Sequence, residues 1–417
     1  MRTLLLFRGA PGCGKSTYID TYGLRPYALS ADDIRLQCQS AQQNIYGEEE
    51  ISQSNDKLVW KILFDLLETR MSKGEFTVID ATNSKTSEMN QYKQLAMNYR
   101  YRVYLIDFTD LPIEECKRRN AQRASLKRVP EAVIDKMYAR FQNQSVPSMI
   151  TVIKPHELNK IFYHKIDLSQ YNKIVHIGDI HGCNTALQSY FKEHSFSDNN
   201  FYIFMGDYTD RGIENAEVIK FLLTLINKKN VLFLEGNHER WLWYYANDKG
   251  PKSKEFEFNT RRQLEDSGID KKDIRIFYRK LAQCAWYTYK DKEVFVTHGG
   301  VSTLPENLIA MSTEQMIKGV GDYGDYETVA DTWMSTTKDN QYEIFGHRNI
   351  KHLPIELRDR VMCLEGQIEF GGDLRVTELD DAGFHSIYVK NTVFRTPATS
   401  KANSEKAESS VADFEIQ

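Results

Sequence analysis

Three short signatures recur at near-even intervals between Lys173 and Arg240: "HIGDIHG", "FMGDYTDRG" and "LEGNHER". They gather Asp179, His181, Asp207, Asn237 and His238 into one stretch, and two more histidines end similar runs downstream, His298 in "VFVTHGG" and His347 in "EIFGHRN". Carboxylate, amide and imidazole groups suit a hard or borderline divalent cation, and this many suggest a pair of cations sharing one carboxylate. Taken singly, an Asp after a strand is usually a turn or cap residue, and a His is usually hydrogen-bonded structure. Five such residues in three signatures, with two more downstream, outweigh that account. They point to a two-metal hydrolase.

A second chemistry stands at the start of the chain, in "TLLLFRGAPGCGKSTYI". Gly9, Gly14, Lys15 and Ser16 fit the GxxxxGK[ST] phosphate-binding loop, and Gly12 and Thr17 belong to the same nucleotide-binding stretch. In that reading Lys15 reaches the β and γ phosphates of ATP and Ser16 ligates Mg²⁺. In "YALSADDIR", Ser30 could cap a helix with Asp32 and Asp33 in its first turn. After a phosphate loop, however, a carboxylate that accepts a hydroxyl proton and an arginine that grips an acceptor phosphate are what a kinase requires, which Asp32 or Asp33 together with Arg35 could supply. Asp80, followed by Thr82 and Asn83, could hold Mg²⁺ through water or simply cap a turn. Between Lys117 and Arg128 six basic residues occur with no acid. A solvated face is the ordinary explanation, but Arg119 and Arg123 are four apart and would share a helical face suited to a lid over phosphates.

Positioning these residues requires buried strands. "TLLLF", "FTVID" and "YRVYLIDF" in the first part, and "KIVHI", "FYIFM" and "VLFL" later, are apolar runs of strand length, which puts the chemistry on loops at strand ends. Strands alternating with helices predict an α/β chain: a mostly parallel sheet flanked by helices, then a mixed two-sheet α/β sandwich. Residues 48–73 read as an amphipathic helix packed through Leu58, Ile62, Leu66 and Leu67. "WLWYY" reads as a helix whose rings pack or, where exposed, stack on a base or sugar. The stretch from "RRQLEDSG" to "RIFYRKL" also reads as helical and could cap the metal site, with Arg261 and Arg262 as substrate candidates.

At 417 residues the chain exceeds one ordinary core. Two domains are expected, 1–160 and 170–396, followed by a disordered tail at 397–417 rich in Ser, Lys, Ala and Glu. The six cysteines form no CxxC pair, which suits reduced thiols. No apolar run reaches the roughly 18 residues of a membrane span, so no membrane partner and a cytoplasmic location are expected. A net charge of -4 excludes a global pull towards polyanions and leaves nucleic-acid contact to local patches.

The metal signatures together resemble the binuclear metallophosphatase superfamily, in its branch with protein serine/threonine phosphatases and bacterial diadenosine tetraphosphate hydrolases. The resemblance implies a calcineurin-like fold and two divalent metals, with Mn²⁺ expected. It would place Asp179 and His181 on the first metal, Asp207 as the bridge, and Asn237, His298 and His347 on the second. His238 would protonate the leaving alkoxide, and Arg211 and Arg240 would hold phosphate oxygens. Where the family has an Asp after the last histidine, this chain has Glu365.

The phosphate loop with "SADDIR", "IDATN", "RRNAQR" and "RVPEAVI" resembles the 5′-hydroxyl polynucleotide kinase module over nearly all of residues 1–150. That implies Asp32 as general base, Arg35 on the acceptor's 3′ phosphate, and Arg119 and Arg123 as lid arginines on ATP. Kinase followed by metallophosphatase is similar to the bacterial polynucleotide kinase-phosphatases, RNA end-healing and sealing enzymes, and implies RNA or DNA ends as partners. No Lys-centred ligase motif follows Phe394, so a separate RNA ligase is expected to seal. Two alternatives stay open: a metabolite kinase fused to a dinucleoside polyphosphate hydrolase, and a nucleotide-regulated protein phosphatase.

Overall fold

Uninterrupted apolar runs must bury both faces, and Thr3–Arg8 does so as the central strand of a five-stranded parallel sheet. In the computed structural model, which describes residues 2–45, 47–250, 253–349 and 353–395, its neighbours are Thr77–Asp80 and then Ala28–Ser30 on one side. On the other side come Arg102–Asp107 and then Ile150–Ile153. Alternate residues of the central strand feed opposite cores. Leu4 and Leu6 pack with Leu63, Leu67, Met89 and Tyr92, and Leu5 and Phe7 pack with Tyr18, Ile19, Phe76 and Ile161. The phosphate loop and the Asp32 helix follow C-terminal ends of strands in this sheet, and Asp80 is the last residue of its own strand. The expected tail at 397–417 lies outside the described residues.

Contacts divide the chain into two units, Met1–Tyr163 with Pro305–Thr313, and His164–Leu304 with Glu314–Gln417. The short return segment belongs to the first unit: Ile309 is buried in its core, and Thr313 N donates to Gly74 O at 3.1 Å. Two local expectations are corrected in this unit. The helix read over 48–73 begins at Asp56, because Glu49–Glu50 pairs instead with Gln42–Gln43. Its packed face is Val59, Leu63, Leu67 and Met71, spaced by four, so Leu58 and Leu66 are left exposed. The helix carrying the basic run, Ile113–Ala121, stops before Arg123. Buried Asn120 ends it by bonding both backbone groups of Val129, at 2.7 and 3.0 Å, so Arg119 and Arg123 do not share one helical face.

The second unit packs two sheets face to face. The first runs Val231–Phe233, Asn200–Phe204, Lys173–Ile177, Asp373–Asp380, Gly383–Lys390, its first three strands parallel and the rest antiparallel. The second runs Glu356–Arg358, Val361–Cys363, Gln341–Phe345, Lys292–Thr297, Cys284–Tyr289, Ile166–Asp167. Ile174, Ile203, Met205, Val294, Val296, Ile344 and Leu364 fill the space between them. Helices Asn184–Glu193, Asn215–Leu225, Glu239–Ala246 and Lys271–Lys280 cover the outer face of the first sheet. Within "WLWYY", Leu242 and Tyr245 are buried, Trp243 lies against Tyr278, and Trp241 lies under Arg240.

Candidate active sites

Strands Lys173–Ile177, Asn200–Phe204 and Val231–Phe233 are parallel and nearly level, as are Lys292–Thr297 and Gln341–Phe345. Each therefore delivers its following loop to the same end of the sandwich. Those loops carry Asp179 and His181, Asp207, Asn237 and His238, His298, and His347. Five residues there hold positive φ without being glycine: His181 (43°), Asp207 (49°), Asp210 (76°), Arg211 (65°) and His347 (61°). Each such residue costs on the order of 1–3 kcal/mol, which persists only where surrounding contacts over-determine it.

Asp207 is the hub. His181, Asp207 and His238 present ligand atoms within 4.8 Å of one another, and so do Asp207, His298 and His347. His298 Nε2 lies 3.2 Å from Asp207 Oδ2 and 3.3 Å from Asn237 Oδ1, and its Nδ1 is 2.9 Å from the Met205 carbonyl. That carbonyl fixes Nδ1 as the donor and leaves Nε2 to face a cation. His181 is oriented the same way by Thr209 O at 3.3 Å. Asp179 falls in neither triad; its Oδ2 accepts from His347 N at 3.0 Å.

The donor set fits divalent cations. Among the described residues, Asp179 Oδ1, Glu365 Oε2 and Glu369 Oε2 are buried with no hydrogen-bond partner. Burial, reinforced by Asp207 and partly offset by His298, pushes the Asp179 carboxyl up to about 7. Burial with Asp179 and Glu369 nearby pushes Glu365 up to about 8. Burial opposes charge on His298, yet Asp207 and Asp179 hold it up at about 10. A pocket that protonates its own imidazole and carboxyl groups is short of positive charge, which cations would supply in exchange for those protons.

His238, although its ring reaches the first triad, differs from the other members in having a buried carboxylate, Asp210, behind it. Its Nδ1 lies 2.7 Å from Asp210 Oδ2 and its Nε2 4.0 Å from Asp207 Oδ2, with the ring edge-on to His181. Burial lowers its proton affinity, but Asp207 and Asp210 more than offset this and leave it raised. Arg211 Nη1 is 2.8 Å from Glu369 Oε1 and 3.4 Å from His181 Nε2. Arg240 stacks on Trp241 at 4.3 Å, and Arg261 is paired to Glu257 and Glu265. Glu365 Oε1 accepts from Gln367 N at 2.8 Å, and the carboxyl group feels the charges of Asp179 and Glu369.

Three contributors escaped the sequence reading. Asp210 and Glu239 lie inside the quoted signatures, and their acidic character beside the ligands was the available signal. Glu239, wholly buried, accepts from Asp207 N, Tyr208 N and Gly236 N at 3.0, 2.9 and 2.7 Å. Glu369, on the short turn Ile368–Phe370, carried no such signal.

In the first unit the phosphate loop joins strand Thr3–Arg8 to helix Lys15–Thr21, with Gly14 at φ 104° as its cap. A Cβ on Gly12 would stand 2.1 Å from Cys116 O, so only glycine fits there. Lys15 Nζ caps its own loop, 2.7 Å from Gly9 O and 3.1 Å from Ala10 O. Ser16 Oγ lies 3.2 Å from Asp80 Oδ2, a hydroxyl and a carboxylate that could hold a divalent cation. Thr17 lies in the first turn of that helix. Arg119 Nη1 stands 3.7 Å from where a Gly14 Cβ would be, whereas Arg123 follows the helix end. Ser30 does cap its helix, accepting from Asp33 N at 3.2 Å. Arg35 is held between Asp32 at 2.7 Å and Asp56 at 2.8 Å.

Residues 4–144 match the family described as AAA domain, and residues 172–377 match the family described as calcineurin-like phosphoesterase. The chain joins a P-loop AAA domain to a calcineurin-like phosphoesterase domain. The chain is 25% identical over 238 residues to the asymmetrical bis(5′-nucleosyl)-tetraphosphatase PrpE of Oceanobacillus iheyensis, covering 52% of this chain and 92% of that protein. It is 27% identical over 195 residues to PrpE of Bacillus subtilis, 42% of this chain and 78% of that one. A solved serine/threonine phosphatase from Saccharomyces cerevisiae aligns with 56% of this chain and 85% of its own, at 14% identity and a TM-score of 0.39. No helix among the described residues is long and apolar enough to cross a membrane.

Proposed function

We propose that this chain heals broken RNA ends, with the AAA domain phosphorylating 5′-hydroxyls from ATP and the phosphoesterase domain opening 2′,3′-cyclic phosphates and removing 3′ or 2′ phosphates. The observation that carries this reading is the Asp32–Arg35 pair, which follows strand Ala28–Ser30 in the sheet that also bears the phosphate loop. A nucleotide switch needs neither group. In the kinase step Asp32 accepts the proton of the 5′-hydroxyl as its oxygen attacks the γ-phosphorus and ADP departs. Arg35 exchanges a carboxylate partner for the acceptor's phosphate, and Lys15 and Arg119 take charge on the transferring group.

In the phosphoesterase domain, bound divalent cations would polarise the phosphoryl oxygens and acidify a water towards neutrality. Asp179, His181, Asp207, Asn237, His298 and His347 would hold them. His238, steadied by Asp210, donates its proton to the departing sugar alkoxide, and Arg211, anchored on Glu369, presents its remaining donors to the phosphate. The names of the bis(5′-nucleosyl)-tetraphosphatase relatives favour a second reading, in which this domain cleaves dinucleoside polyphosphates.

The test is a nicked tRNA anticodon loop with 2′,3′-cyclic phosphate and 5′-hydroxyl ends, incubated with ATP, Mg²⁺ and Mn²⁺. End healing yields 5′-phosphate and 3′-hydroxyl termini that an added RNA ligase can join. Unaltered ends alongside rapid cleavage of diadenosine tetraphosphate would favour the second reading.

A further inference from the structure

The strained loop Asp210–Gly212 is gripped at three consecutive residues by one short segment, Glu255–Thr260, which includes the π-helical turn Phe256–Thr260. Glu255 Oε1 accepts from Arg211 N at 3.0 Å, Asn259 Nδ2 donates to Gly212 O at 2.8 Å, and Thr260 Oγ1 donates to Asp210 Oδ1. Asn259 also donates to Glu255 Oε1 at 2.8 Å, which ties the grip together. The i to i+5 alignment of a π turn brings Thr260 level with Glu255, and such turns recur at functional sites. Thr260 and Asp210 are both wholly buried, so water does not compete for the contact.

We infer that Thr260 is a positioning residue for the phosphoesterase reaction, acting through Asp210 on His238. The Thr260 hydroxyl takes one oxygen of Asp210, so the other oxygen is left on His238 Nδ1, 2.7 Å away, and Nε2 is held towards the ligand cluster. Without the hydroxyl, Asp210 can rotate about its side chain, and the imidazole loses its fixed direction. Misplacing a catalytic group by about 1 Å can cost about 10²-fold in rate. This inference rests on the proposed role of His238 as leaving-group acid.

The experiment compares Thr260→Val, which removes the hydroxyl at constant shape, with Thr260→Ser, which keeps it. Substrates are a nucleoside 3′-monophosphate, whose alkoxide needs a proton, and 4-nitrophenyl phosphate, whose leaving group needs little. Thr260→Val should lower kcat on the nucleotide by about tenfold or more at unchanged KM, leave the aryl ester nearly untouched, and be rescued by Thr260→Ser. In an Asp210→Ala background it should add nothing. Thermal melting monitors folding, and Thr260→Ala replaces Thr260→Val if the latter melts early. Equal loss on both esters, failure of Thr260→Ser to rescue, or a full additional loss in Asp210→Ala would overturn the inference. Equal loss on both esters in His238→Ala would overturn the acid role beneath it, a separate result.

Discussion

Removing the Glu239 carboxylate should disarm the phosphoesterase domain although Glu239 is in none of the proposed ligand sets. Glu239→Ala leaves Asp207 N, Tyr208 N and Gly236 N buried without their acceptor. An unsatisfied buried donor costs about 1–3 kcal/mol, so three cost roughly 3–9 kcal/mol, against a total stability of about 5–15 kcal/mol for an ordinary domain. At about 2–4 °C per kcal/mol for a domain of this size, the melting transition should fall by at least about 6 °C. Glu239→Gln is the graded control. Its amide oxygen can still serve Asp207 N and Gly236 N, which share Oε2, and only Tyr208 N then faces an NH₂ group. One lost bond predicts about 1–3 kcal/mol. Calorimetry on the full chain reads the transition, elemental analysis reads bound metal, and kinase activity serves as internal reference. A Glu239→Ala protein that melts with wild type and hydrolyses phosphate esters normally would refute the claim that this carboxylate holds the Asp207 loop.

Lys15→Ala and Asp32→Ala should each abolish phosphate transfer to a 5′-hydroxyl oligonucleotide, losing about 10²–10⁴-fold in the base variant, while phosphatase activity persists. Gly12→Ala should block ATP binding by equilibrium dialysis, since its Cβ meets Cys116 O at 2.1 Å on a φ of 85°. Asp207→Ala should remove phosphatase activity and lower divalent metal content together, because this carboxylate stands in both ligand triads. Glu369→Ala should keep its metal but raise KM for phosphate monoesters, as Arg211 loses its 2.8 Å anchor.

The α/β architecture and the phosphate-loop and metal-ligand motifs were legible because short apolar runs mark strand ends, and Gly9, Asp179, Asp207 and His298 stand within three residues of such ends. What depended on contacts between distant segments was not legible. The face of helix Asp56–Ser72 is chosen by the sheet it covers, so Leu58 and Leu66, which share its helical period, turn outward while Val59 and Leu63 turn in. Arg123 leaves the helix because Asn120 bonds a backbone nine residues on, a stop with no glycine or proline at that point. Glu369 and Thr260 matter only through Arg211 and Asp210, which lie 158 and 50 residues away.

The return of Pro305–Thr313 to the first unit means that the chain passes between the units after Tyr163, after Leu304 and again after Thr313. The two domains are therefore not beads that one cut could separate: expressing residues 1–163 alone would leave the first core without Ile309 and Gly74 without its Thr313 partner. Recombination at a single junction could not trade either half for another and keep both cores whole.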